Sequence, residues 1–143
     1  MGLAKRVLDT NVLINHWVRS LDGRRTRDVT RAHALAAAKR LRDLQGSAVI
    51  LTPIYIEYVC GQRNRHERDL ARAYLGRFEV ADGGSILRQD WDYARRLAER
   101  VPRDGLPRQL GDCLVRAVCE RLHLEYVTFE IRFPHRLTGP PLP

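Results

Sequence analysis

Four short apolar runs divide the chain: Arg6-Val7-Leu8, Ala48-Val49-Ile50-Leu51, Phe78-Glu79-Val80 and Glu125-Tyr126-Val127-Thr128. Each has the length and composition of a buried strand, and the segments between them carry helical periodicity. Val12-Leu13-Ile14 continues as a helix directly after Asp9. Residues 26–44 place Val29, Ala32, Leu35, Ala36, Ala38, Leu41 and Leu44 at helical spacing, and Gly46 stops the run. Thr52-Pro53 reads as an N-cap followed by proline at the first helical position, so 53–60 is expected to be helical. Further helices are expected over 64–75, 85–100 and 110–122, with a turn at Asp82-Gly83-Gly84 and a break at 103–107. Such alternation predicts an α/β domain around a mostly parallel sheet. In open parallel sheets, ligands bind beyond the carboxyl ends of the strands.

The 143 residues suffice for one domain, read as 1–137 with a frayed tail over 138–143. A hydrophobic fraction of 44% excludes a disordered or collagen-like chain. No apolar run approaches the ~20 residues of a membrane span. The N-terminus lacks the pattern of a secretory signal, which points to the cytoplasm. Three cysteines without a C-x-x-C pair argue against a disulfide scaffold and against zinc. Cys60, Cys113 and Cys119 are expected as small buried hydrophobes.

Charge narrows the partner. Lys and Arg number 25 against 17 Asp and Glu, a net +8, and only Lys5 and Lys39 are lysines. Guanidinium forks match phosphate well, so the balance points to nucleic acid or another polyanion. From Arg19 to Arg42 the basic residues form either a solvated helical face or an RNA-contacting surface. Arg24, Arg25, Arg27 and Arg31 are the candidates for the second role. Trp17, Trp91 and Tyr93 fit packing better than base stacking.

Four acids stand where the sheet edge would gather them. Asp9 ends the first strand and could simply cap the next helix. Glu57 lies five residues into the helix opened at Thr52 and could be a solvated helical charge. Asp112 opens the 110–122 helix, where a carboxylate also complements the helix dipole. Glu130 follows the last strand. Carboxylates that share a cleft repel one another unless a cation neutralises them. Hard oxygen donors without a His or Cys cluster suit Mg²⁺ or Mn²⁺, which activate water and clamp a phosphodiester. A basic chain with an acidic metal pocket reads as a nuclease.

These residues also resemble a known family. Val7-Leu8-Asp9-Thr10-Asn11-Val12-Leu13-Ile14 is similar to the opening motif of PIN domains, most closely the VapC-type toxins of toxin–antitoxin pairs. Glu57 in Thr52-Pro53-Ile54-Tyr55-Ile56-Glu57-Tyr58 falls where the second acid stands. Asp112 in Gly111-Asp112-Cys113-Leu114-Val115-Arg116-Ala117 falls at the third, and Val127-Thr128-Phe129-Glu130 at the fourth. The chain departs from the pattern in having Glu130 for the commoner Asp or Asn, and Arg132 where a further Asp often precedes the phenylalanine. The resemblance implies a three-layer α/β/α sandwich and a Mg²⁺- or Mn²⁺-dependent endoribonuclease. Its metal would be held by Asp9, Glu57, Asp112 and Glu130, with Thr10, Asn11 and Thr128 in support. It further implies an antitoxin partner and a homodimer.

The competing readings are weaker. An aspartyl phosphatase needs a second Asp where Asn11 stands, and Asn cannot supply the proton. His16 and His135 lack the orienting partner of a general base. A non-catalytic RNA-binding module would gain nothing from clustered negative charge facing phosphate. A structure-specific DNA nuclease would need clamping segments for which this chain has no room.

Overall fold

The computed structural model describes residues 4–100 and 109–129. Strands β1 (Arg6–Leu8), β2 (Ala48–Ile50), β3 (Glu79–Val80) and β4 (Glu125–Val127) form one sheet in the order β3-β2-β1-β4, and every pairing is parallel. Six helices flank it: α1 (Thr10–Leu21), α2 (Arg31–Gln45), α3 (Thr52–Cys60), α4 (Arg65–Leu75), α5 (Arg88–Ala98) and α6 (Gln109–Leu122). The result is a three-layer α/β/α fold. Helices on both faces explain why Val7, Leu8, Val49 and Ile50 are all buried, with no alternation along the strands.

Val7 pairs with Val49 on one side and Tyr126 on the other. The chain leaves β1 towards β2 and β3, then returns to β1's other side as β4. Strand order therefore reverses between β1 and β4, and the crevice beyond their carboxyl ends lies between Asp9 and Thr128.

The main core is centred on the fully buried Tyr74, whose ring meets Trp17 at 5.1 Å and Tyr58 and Phe78 at 6.0 Å. Its hydroxyl donates to the Leu13 carbonyl at 3.2 Å and lies 3.1 Å from His16 Nδ1. The single hydroxyl proton goes to the carbonyl, so His16 donates through Nδ1. A smaller core of Ala94, Leu97, Cys113, Leu114 and Ala117 joins α5 to α6. There the buried Asp90 accepts from Arg121 Nε at 2.8 and 3.0 Å and from the Leu87 amide at 2.9 Å.

Some local expectations are corrected. The helix expected over 26–44 is two pieces, a 3-10 turn at Thr26–Asp28 and then α2, because Thr30 Oγ1 accepts from the His33 amide and starts a new helix. Its buried stripe is Ala34, Ala37, Ala38 and Leu41, whereas Ala32, Ala36 and Leu44 face solvent. Thr52 is already helical, and its amide and hydroxyl both donate to Asp82 instead of capping α3. Helix α5 starts only at Arg88. Cys60 is exposed, while Cys113 and Cys119 are buried as expected. The break at 103–107 and the tail at 138–143 lie outside the described residues.

Candidate active site

Asp9 is held at the crevice by both neighbouring elements. As the N-cap of α1 it accepts from the Thr10 amide at Oδ1, 2.7 Å, which satisfies one orphan donor of the helix. Its Oδ2 accepts from the Thr128 hydroxyl at 2.6 Å, just beyond β4. Thr128 Oγ1 in turn accepts from Asn11 Nδ2 at 3.3 Å, and Asn11 Oδ1 accepts from the Phe129 amide at 3.4 Å. The cap and site readings of Asp9 are thus compatible: the capping geometry aims the carboxylate into the crevice. Thr10, Asn11 and Thr128 all gather around it.

Glu57 and Asp112 stand on helices that pack together, α3 and α6. Glu57, half-buried on α3, brings Oε2 to within 3.4 Å of where a β-carbon on Gly111 would stand. The missing side chain leaves the space the carboxylate uses, and Asp112 follows in the first turn of α6. Glu57 is therefore no freely solvated helical charge.

Arg116, one turn beyond Asp112, is the group that sequence reasoning missed. It is 1% exposed, donates from Nη1 to the Asp112 carbonyl at 3.1 Å, and lies 3.9 Å from Asp112 Oδ1. Its guanidinium sits 4.8 Å over the Tyr126 ring. A visible signal existed: Arg116 is the lone charge in the run Cys113–Cys119, otherwise the apolar centre of α6. Burial pushes the Tyr126 hydroxyl pKa well up, and the Asp9 and Asp112 charges add to this while Arg116 opposes it. Burial likewise lifts the Cys119 thiol to about 12, with Arg116 opposing and Asp9 contributing to the rise.

The remaining candidates separate. Glu130 and His135 lie outside the described residues. His16 is committed to Tyr74, and burial, then the Arg40 charge, lower its pKa. Arg24, Arg25, Arg27 and Arg31 are exposed on and beside the turn between α1 and α2. Among the described residues, no group of three or more His, Cys, Asp and Glu side chains stands together as a metal cluster. Among them, too, no helix is long and apolar enough to cross a membrane.

Asp9 is thus clamped at the strand-order reversal of a three-layer parallel α/β fold, where folds of this class bind their ligands. The family model of the PIN domain matches residues 6–136, and the chain belongs to that family. The PIN domain is a nuclease-type fold, and its members are generally metal-dependent nucleases acting on nucleic acid. Neither a curated protein nor a solved structure matches the chain.

Proposed function

We propose that the chain is a metal-dependent endoribonuclease, the toxin of a toxin–antitoxin pair, with Asp9, Glu57, Asp112 and Glu130 as its site acids. The observation that carries this reading is Asp9, held at the β1–β4 crevice by Thr10 and Thr128 in a chain of the PIN family. The donor set fits a hard divalent cation, since Asp9, Glu57 and Asp112 offer only carboxylate oxygens. Asp9 and Asp112 would be the principal ligands, with Glu57 and Glu130 completing the set. When bound, Mg²⁺ or Mn²⁺ supplies an activated water and offsets the charge of the phosphodiester. Thr128 and the Thr10 amide orient Asp9, and Asn11 holds Thr128 in place. Arg116 steadies the α6 turn that presents Asp112. Arg24, Arg25, Arg27 and Arg31 contact the RNA backbone.

The proposal extends to a single domain over 1–137, a cytoplasmic location and a homodimer. Supporting the dimer, Ile14 and Val18 on α1 and Ile56 on α3 are exposed, and α1 touches α3. The antitoxin would lay a disordered segment with apolar anchors and an arginine into the acidic pocket.

The test is end-group analysis of RNA cleaved by purified, antitoxin-free protein. The expected product carries a 5′-phosphate and a 3′-hydroxyl and forms only with a divalent ion. A 2′,3′-cyclic phosphate formed equally well in EDTA refutes the metal mechanism. Growth arrest on expression alone, relieved by co-expressing the neighbouring gene, is expected of a toxin.

One observation favours a second reading, a non-catalytic RNA-binding module. The buried Arg116 already sets a positive charge beside Asp112. Calorimetric titration with Mn²⁺ separates the two, because a pure binder gives no site-specific heat.

A further inference from the structure

Away from Asp9 the molecule has a basic concave feature. A cleft of about 530 Å³ between α2 and α4 is lined by Arg31, Arg65, His66, Asp69, Leu70 and Arg72 among others. Asp69 is ion-paired to Arg72 on its own helix. Arg31 and Arg65 are exposed, and among the described residues neither has an ion-pair partner. They therefore set the sign of the cleft. His66 Nε2 meets the Thr26 carbonyl at 3.1 Å and ties the 3-10 turn, with its neighbours Arg25 and Arg27, to the start of α4. Arginines some forty residues apart in sequence thus form one basic face.

The cleft also faces the right way. Helix α2 ends three residues before β2 begins, and α4 ends four before β3. A helix that feeds a parallel strand runs back against the strand direction, so this connectivity assigns Arg31 and Arg65, the first residues of the two helices, to the side of the strands' carboxyl ends. Asp9 and Thr128 stand at that same edge.

We propose that the α2–α4 cleft holds the sugar–phosphate backbone of the single-stranded RNA on which the acidic pocket acts, with Arg31 and Arg65 as its phosphate contacts. The identity of the strand as substrate rests on the nuclease reading; its binding does not. A guanidinium fork matches a phosphodiester bidentately. Protein segments dock through apolar anchors. Among the described residues, Leu70 is the only large apolar side chain lining this cleft.

The test is fluorescence anisotropy of a labelled oligouridylate of about 20 nucleotides, bound in EDTA across a salt series. Each phosphate contact to a single strand adds roughly 0.7 to the logarithmic salt slope. Arg31→Gln/Arg65→Gln is therefore expected to lower the slope by about 1.4 and weaken binding on the order of 10- to 30-fold near 0.1 M salt. Arg88→Gln/Arg95→Gln removes the same charge from exposed positions on α5 and should stay within about twofold of the parent. Thermal melts check that both variants are folded. Equal losses in the two variants would reduce the effect to net charge and overturn the proposal, as would parent-like binding by Arg31→Gln/Arg65→Gln. Tighter binding of a labelled oligoglutamate than of the RNA would also overturn it and assign the cleft to an acidic protein. RNA held in this way but never cut with Mn²⁺ supports the cleft and refutes only the nuclease reading. Cleavage with an unchanged KM in Arg31→Gln/Arg65→Gln refutes only the cleft.

Discussion

Replacing Arg116 by Met keeps most of the buried stem and removes the charge from beside Asp112. At 3.9 Å from Asp112 Oδ1, the guanidinium interacts by about 4 kcal/mol at an effective dielectric of 20. The charged hydrogen bond to the Asp112 carbonyl adds about 1.5–3 kcal/mol, and the stacking over Tyr126 about 2 kcal/mol in a desolvated setting. Against these stands the several kcal/mol that desolvating a guanidinium costs, which Met avoids. The expected net destabilisation is about 2–4 kcal/mol, most of it from the lost contacts to Asp112 and Tyr126. Urea denaturation at neutral pH measures it, with far-UV circular dichroism as the probe. Adding Asp112→Asn to Arg116→Met should return at least about 1 kcal/mol, a coupling expected of groups in direct contact. Millimolar Mn²⁺ should stabilise Arg116→Met more than the parent, because the ion then supplies the missing charge. An Arg116→Met protein as stable as the parent, with no coupling to Asp112→Asn, would refute the reasoning.

Other consequences are as direct. Asp9→Asn and Asp112→Asn should abolish RNA cleavage, Glu57→Gln reduce it strongly and Glu130→Gln partially, as read by initial rates at saturating Mn²⁺. The Cys119 thiol, lifted to about 12 from an ordinary 9, stays neutral in the fold while the unfolded chain ionises. Its contribution is therefore intact below pH 9 and lost between about pH 9 and 12, amounting to about 1.4 kcal/mol by pH 10; denaturation midpoints across that range check it. Burial lowers the His16 pKa below its ordinary 6.5, so the unfolded chain takes up a proton first and stability should also fall below about pH 6.5. Ile56→Asp should convert the proposed dimer to a monomer in light scattering, and an unchanged mass would remove α3 from the interface.

Sequence alone determined the parts of this protein that depend on near neighbours. Three- and four-residue apolar runs alternating with amphipathic segments specify a parallel α/β fold, and Gly46, Pro53 and the 110–122 periodicity mark helix boundaries without reference to the rest of the chain. Asp9 was legible for the same reason, since a strand end followed by a helix start places a carboxylate at the crevice whatever lies across it. Local signals mislead at two threonines. Thr52 has the chemistry of a cap, but Asp82, thirty residues away, takes both its donors. The stripe read over 26–44 ran through Thr30, whose capping bond starts a new helix. Tertiary structure alone decided which distant groups meet. The order β3-β2-β1-β4 puts Thr128 against Asp9, and the approach of α3 to α6 puts Glu57 against Gly111. Tyr126 and Arg116 look like a strand residue and a misplaced charge until β4 is laid beside β1 and α6 is packed nearby. The physical reason is range: hydrogen bonds and periodicity along a helix act within four residues, whereas strand order and helix packing are settled by burying the whole core at once.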